Sequence, residues 1–230
     1  MEITNLGFFR KILPFLNYAT WVKIIENLGD DWTKLDEKTL VFLASGEFLF
    51  DNLGDKQEDY SPMVMQFGRA IENELAVKLF KPFKQDLDTK LLEDADYQLK
   101  VLKSQVQKNK KNKFSKEQKH SVTKLYEDSK PQSLISMLNY FFSLGKMINA
   151  LEVQSESIFL DIRLFKNFDV FIENRIKDKN LVLAKGFLDT LRGIAATRNK
   201  AGHTEIIEYK NSTNVKKEVN KTIKIWISAF

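Results

Sequence analysis

The chain has 230 residues, of which 36 are lysine or arginine and 31 are aspartate or glutamate, so its formal net charge is +5 at pH 7. With 43% hydrophobic and 12% aromatic residues it can bury the core of one large or two small domains, which excludes wholesale disorder. It contains no cysteine, which excludes disulfides, thiolate metal sites and cysteine nucleophiles, and favours a reducing compartment.

Helices are predicted along the whole chain. Only 9 glycines and 4 prolines interrupt it, and apolar residues recur three or four positions apart, with no competing alternation of apolar and polar residues. The sequence therefore predicts an all-α fold. The N-terminus lacks the uninterrupted apolar run of a signal peptide, and no segment approaches the roughly 20 apolar residues of a membrane span, so we expect a soluble, cytoplasmic protein.

The N-terminal part is predicted to form helices near 3–28, interrupted by Pro14, and over 36–50. Turn-forming residues dominate between positions 51 and 59, and Tyr60-Ser61-Pro62 is typical of a helix cap and first turn. A domain boundary is therefore expected near residues 55–60. This leaves 1–58 as a helical segment of unknown role.

The helix predicted from Ser61 to about Phe80 carries one acidic residue on its apolar face. At about 100° per residue, Glu74 falls inside this face. The apolar members of the face are Met63, Phe67, Ala70, Ile71 and Leu75. A carboxylate there needs a partner. Glu74 either snorkels or is neutralised by a structural basic residue, or it orients a functional arginine or histidine.

A lysine-rich stretch follows a helix predicted over 84–107. Residues 108–120 contain six lysines and one acid, and 108–119 is predicted to be an exposed loop. Its lysines are either simply solvated or contact RNA phosphates, which lysine clusters do without reading base sequence. The candidate RNA-binding residues are Lys108, Lys110, Lys111 and Lys113. His120, at the end of the stretch, is expected to be exposed and unrelated to catalysis.

Further helices are predicted over 134–142, 155–176, 179–197 and 213–230, and the first two of these are expected to be densely buried. The third leads into Arg198-Asn199-Lys200-Ala201-Gly202-His203, where Gly202 is expected to end or distort the helix just before His203. Glycine-rich phosphate loops, HExxH and G-x-S-x-G are absent from the sequence. Nucleoside-triphosphate hydrolysis, dinucleotide redox chemistry, zincin proteolysis and serine hydrolysis therefore lose their usual motif support.

The segment from Leu191 to Thr204 resembles the signature helix end of the HEPN superfamily, an R-x4-6-H motif with a polar residue, often asparagine, directly after the arginine. Residues 67–75 resemble the family's first long helix, where an Ala-x-Glu-x-x-Leu pattern is common. The resemblance covers residues 59–230 and implies a helical bundle. It also implies a homodimer in which two R-x4-H motifs face each other across a cleft.

Many HEPN proteins are metal-independent RNases of toxin, abortive-infection and CRISPR-associated systems, and others are inactive binding modules. The resemblance therefore implies an endoribonuclease with Arg198, His203 and Asn199 as catalytic residues. The supporting candidates are Glu74, Glu72, Lys200 and Thr204. A histidine can move a proton near neutral pH, an arginine can grip phosphate oxygens, and RNA supplies its own nucleophile in the 2′-OH.

The implied partners are RNA, a second copy of the chain and, if the protein is a toxin, an antitoxin or regulatory protein. No cofactor is expected, and no metal ligands are predicted, since only His120 and His203 offer imidazole. Two alternatives stay open. The chain is a non-catalytic HEPN-like module that binds RNA, a nucleotide or a protein, or it is a sensor whose N-terminal helices release the nuclease when they recognise a trigger.

Overall fold

The computed structural model describes residues 18–53, 59–85, 87–107, 120, 123–124, 130–203 and 205–230. All regular secondary structure in these residues is helical, which confirms the all-α prediction. Within the same ranges, no helix is both long enough and apolar enough to cross a membrane. The chain divides into two compact units, here called unit 1 (residues up to 74, with 193–228) and unit 2 (75–192, with 229–230).

Unit 1 is built from the two ends of the described chain. It contains α1 (Tyr18–Leu28), a 3-10 turn (Gly29–Lys34), α2 (Glu37–Leu53), α3 (Ser61–Leu75) up to residue 74, α10 (Lys185–Gly202) from residue 193, and α11 (Tyr209–Ala229) up to residue 228. The described residues on both sides of position 58 belong to this unit, so the predicted domain boundary falls inside it.

The apolar face predicted for α3 is confirmed, since its members are at most 3% exposed. Side chains at helical spacing on the other helices complete the core of unit 1: Trp21, Ile24 and Leu28 of α1, Leu40 and Leu43 of α2, Ile194 of α10, and Val219, Ile223 and Trp226 of α11. Gly46 of α2 lets the ring of Phe67 approach closely, because a Cβ at position 46 would lie 2.7 Å from Phe67 Cε1.

Unit 2 contains the remaining helices. They are a π-helical turn (Ala76–Phe80), α4 (Lys81–Gln85), α5 (Thr89–Gln107), α6 (Lys130–Asn139), α7 (Leu144–Ser155), α8 (Arg163–Arg175), α9 (Lys179–Leu183) and the first part of α10. Phenylalanines join α4 to α8, where the ring centroids of Phe83 and Phe168 are 4.8 Å apart. The carbonyl of Lys78, in the π-helical turn, accepts a hydrogen bond from Arg175 Nε at 2.6 Å.

Several helix limits differ from the prediction. The helix predicted over 155–176 is wrong at its start, because 156–162 form turns in which Ser157 has φ +52°, and α8 begins only at Arg163. The helix predicted over 179–197 is interrupted at Ala184, whose ψ of 136° is not helical, and then extends to Gly202. The final helix begins at Tyr209 rather than at residue 213.

The prediction that 134–142 is a densely buried helix is wrong at its end. Helix α6 stops at Asn139, and Tyr140 and Phe141 lie on the surface. Helix α7, which follows them, has no counterpart among the predicted helices. Some predictions concern residues outside the described ranges, so they stay predictions. These are the predictions for the N-terminal residues before 18, for Thr204, and for Lys108, Lys110, Lys111 and Lys113.

Candidate active site

Helices α3 and α10 run antiparallel where they meet in unit 1. A Cβ added at Gly202, the last residue of α10, would lie 3.8 Å from Met65 Sδ, and a Cβ added at Gly68 would lie 2.5 Å from Arg198 Cγ. Because side chains on a helix tilt toward its N-terminus, Arg198 extends along α3 in the direction of Glu72. The absence of a side chain at Gly68 creates the space for this arginine.

Arg198 is paired with Glu72, one of the supporting candidates. Its Nη2 donates a hydrogen bond to Glu72 Oε2 at 2.7 Å, and the side chains are 23% and 21% exposed. Nε of Arg198 is buried and has no hydrogen-bond partner among the described residues. Since charge-assisted hydrogen bonds are among the strongest in proteins, this pair fixes the guanidinium against α3.

Glu74, the other acidic candidate on α3, is buried at the start of α2. Its Oε2 accepts hydrogen bonds from Thr39 Oγ1 at 2.8 Å and from the backbone N of Asp36 at 3.2 Å. The donors at this oxygen are thus groups at a helix N-terminus, where the partial positive charge favours a carboxylate. The sequence suggested a basic residue, or a functional arginine or histidine, as the partner of Glu74. The carboxylate that pairs with Arg198 is Glu72.

His203 stands at the exposed end of α10. The helix continues past its predicted limit at residue 197 and ends at Gly202, and the backbone N of His203 donates to Lys200 O at 3.0 Å in the closing turn. Asn199 and Lys200 are also exposed. Positions five apart on a helix lie about 140° around its axis, so the side chains of Arg198 and His203 leave α10 in different directions.

The chain after His203 is tied to the start of α3. Oδ1 of Asp59 accepts hydrogen bonds from Ser61 Oγ at 2.6 Å, from Ser61 N at 2.9 Å and from Ile207 N at 3.1 Å. The side-chain hydrogen bond from Ser61, together with the two backbone hydrogen bonds, holds the pKa of Asp59 below its ordinary value despite some desolvation. Tyr60 N also donates to Ile207 O at 2.9 Å. His203 is thereby held between the end of α10 and an anchored segment.

Gly68 and Asp59 were not among the predicted site residues. A glycine inside a helix costs stability relative to alanine, and its presence in F-G-R-A-I-E was the available signal for a close approach. Asp59 precedes the predicted cap Tyr60-Ser61-Pro62. At the start of the helix, the side chain of Asp59, rather than that of Ser61, accepts a hydrogen bond from the backbone N of Ser61.

We expect Gly68→Ala to destabilise the protein, even though alanine favours helix. Real Cβ atoms do not approach other atoms as closely as 2.5 Å, and Cγ of Arg198 lies too near the α10 backbone to move aside freely. Overpacking of this kind costs about 1–3 kcal/mol. Urea denaturation monitored by circular dichroism measures the loss.

Gly193→Ala on α10 is the matched control. Nothing lies within 4 Å of a Cβ added there, so this change is expected to raise stability by about 0.5–1 kcal/mol through helix propensity alone. Equal free energies of unfolding for the two variants would show that Arg198 does not fill the space at position 68.

Comparisons of the chain with known proteins identify no relative. Searches against protein-family models, curated proteins and solved structures gave no significant match. Among the described residues, no group of three or more histidine, aspartate or glutamate side chains is arranged to hold a metal ion.

Proposed function

We propose that the chain is a metal-independent endoribonuclease of the HEPN type. The observation that supports this most is the arrangement at the end of α10, where Arg198 is fixed against α3 by Glu72 and Gly68 while His203 is exposed between two anchored segments. Such a site offers a rigid cation for a phosphate and an accessible imidazole for proton transfer.

In the proposed reaction the 2′-OH of a ribose attacks the adjacent phosphorus. The O2′–P bond forms, the P–O5′ bond breaks, and the products end in a 2′,3′-cyclic phosphate and a 5′-OH. His203 accepts the proton of the 2′-OH, and Arg198 stabilises the charge that develops on the phosphate oxygens. Asn199 and Lys200, both exposed beside the motif, would contact the same phosphate.

A second copy of the chain would supply the remaining acid. One motif carries one histidine, whereas both the 2′-OH and the leaving 5′-oxygen need a proton transfer. In a symmetric dimer, the His203 residues of the two copies share these tasks. The resemblance to HEPN toxins and antiviral effectors also underlies the proposed role in cellular defence, with an antitoxin or regulatory protein as partner.

The pairing of Arg198 with Glu72 favours one alternative from another class. An arginine whose charge is neutralised within the fold can be purely structural, and the chain would then be a HEPN-like module that binds RNA, a nucleotide or a protein without cleaving it. In a nuclease, a phosphate must share the guanidinium with Glu72. In the described part of the chain, the three other N–H donors on Nη1 and Nη2 remain for that purpose, whereas Nε is buried.

The test uses the purified protein, a labelled RNA and a DNA of the same sequence, all in excess EDTA. We expect cleavage of the RNA to fragments with 2′,3′-cyclic phosphate ends and no cleavage of the DNA, because DNA lacks the 2′-OH. Cleavage that requires an added divalent cation, or equal cleavage of the DNA, would overturn the proposal. RNA binding without any cleavage would favour the non-catalytic module.

A further inference from the structure

The tip of the hairpin formed by α6 and α7 exposes large aromatic side chains. Residues 140–143 connect the two helices, and Tyr140 and Phe141 are 75% and 62% exposed. Aromatic rings normally bury most of their surface, so two adjacent exposed rings mark an interaction site. We call Tyr140 and Phe141 the aromatic tip.

The aromatic tip is held in place by the helices that carry it. Asn149 Nδ2 of α7 donates to Ser133 Oγ of α6 at 2.9 Å, and Lys146 Nζ donates to Ser136 Oγ at 2.9 Å. The backbone N of Tyr140 donates to Ser136 O, which closes the last turn of α6. The rings are thus presented by a cross-linked helical hairpin, and binding to them requires little ordering of the protein.

Lysines lie next to the aromatic rings. Lys146 Nζ is 4.2 Å from the centroid of Phe141, and Lys84 Nζ is 5.8 Å from the centroid of the following residue, Phe142. Both distances are within the range of cation–π interactions. Lys146 lies over one face of the Phe141 ring, and the exposed ring keeps its other face as a planar apolar surface next to a positive charge. This is the combination that single-stranded nucleic acids bind.

Carboxylates near the aromatic tip limit the direction from which an anion can approach. Glu93 and Asp96 of α5 line a groove with Tyr140, and Asp96 is paired with Lys100 at 2.5 Å. The lysines lie instead beside Phe141 and Phe142. A polyanionic strand is therefore attracted more strongly on the side of Phe141 than on the side of this groove.

We propose that the aromatic tip is a stacking platform for unpaired bases of single-stranded RNA, with Lys146 and Lys84 beside the phosphates. The proposal rests on the proposed function for the nature of the ligand, and it narrows the substrate to unpaired regions. Bases in a duplex hide their faces in the stack, whereas unpaired bases can lie on an aromatic ring. Stacking tolerates any base, so the platform selects strandedness rather than sequence.

The test measures binding without cleavage. In the His203→Ala background, fluorescence anisotropy is recorded with a labelled 12-nucleotide single-stranded RNA and with a duplex of the same length. The paired variant carries both Tyr140→Ser and Phe141→Ser. Its affinity for the single-stranded RNA is expected to fall by about 10-fold or more for each ring removed, and its affinity for the duplex by much less. Lys146→Gln is expected to reduce the slope of log affinity against log salt by about 0.7.

Tyr97→Ser is the matched control. Tyr97 of α5 is 67% exposed and is not among the residues that line the groove beside Tyr140, so its loss is expected to leave RNA affinity unchanged. Unchanged single-strand affinity in the paired variant, an equal loss of duplex affinity, or an equal loss in Tyr97→Ser would overturn the proposal. So would a change of oligomeric state without a change of RNA affinity, since the aromatic tip would then bind a second copy.

This experiment and the cleavage assay fail independently. Loss of single-strand affinity in the paired variant supports the platform even if the parent protein cleaves no RNA. Cleavage by the parent, combined with unchanged affinity in the paired variant, would support the nuclease and exclude the platform.

Discussion

Replacing His203 with alanine is expected to lower the rate of RNA cleavage by about 100- to 10,000-fold, the usual contribution of a general acid or base. The residue is exposed at the end of α10, and the hydrogen bond that closes its turn comes from the backbone N, which alanine keeps. Alanine therefore keeps the backbone turn, and any change in the melting temperature reports what the imidazole contributes to the fold. Single-turnover cleavage in EDTA and thermal unfolding of the same preparation measure the two effects.

His120→Ala is the control for this prediction. His120 is the other histidine of the chain and is exposed, so its replacement tests whether removing any surface imidazole affects cleavage. We expect wild-type rates from it. Because both variants are purified in the same way, contaminating RNases would affect them equally, and comparable rates in the two would remove His203 from the mechanism.

Replacing Lys216 with methionine is expected to destabilise unit 1 by about 3–5 kcal/mol, the cost of leaving a buried charge without its partner. Glu47 of α2 is only 2% exposed, and its Oε2 lies 2.5 Å from Lys216 Nζ of α11. The same ammonium is 4.2 Å from the ring centroid of Phe50. Methionine keeps much of the packing but removes the charge, and urea denaturation measures the loss.

Lys100→Met provides the contrast with an exposed ion pair. Lys100 is 72% exposed and bonds Asp96 at 2.5 Å, so its replacement is expected to cost at most about 1 kcal/mol. The double variant Glu47→Met and Lys216→Met should recover most of the stability, since it removes both charges. If Lys216→Met costs no more than Lys100→Met, the carboxylate of Glu47 is satisfied without Lys216.

Buried helix faces and helix ends depend on the local sequence pattern, and these features could be predicted from the sequence. The buried face of α3 follows from apolar residues three and four apart, and Glu74 is buried because it falls inside that face. The end of α10 at Gly202 was predictable for the same kind of reason, since glycine favours helix ends. These features need no knowledge of which helices become neighbours.

Features that depend on tertiary neighbours were not predictable. Glu72 and Arg198 are 126 positions apart, and only the packing of α3 against α10 selects Glu72 over Glu74 as the partner of the arginine. Tyr140 and Phe141 fit the apolar pattern of a buried segment, but α6 ends one residue earlier, so helical periodicity no longer decides which way their side chains point. A periodic pattern does not show where a helix stops being buried.

The close approach of Gly68 to Arg198 has a consequence for the evolution of this chain. As long as position 198 holds arginine, any side chain at position 68 collides with it, so the two positions accept substitutions only together. Related sequences that lose the arginine lose the 2.5 Å clash with Cγ, and only Cβ at 3.0 Å stays close to a side chain at position 68. The gain in helix propensity from alanine then has less overpacking to offset. Covariation of positions 68 and 198 would therefore distinguish related sequences that keep the R-x4-H motif from those that keep only the helical fold.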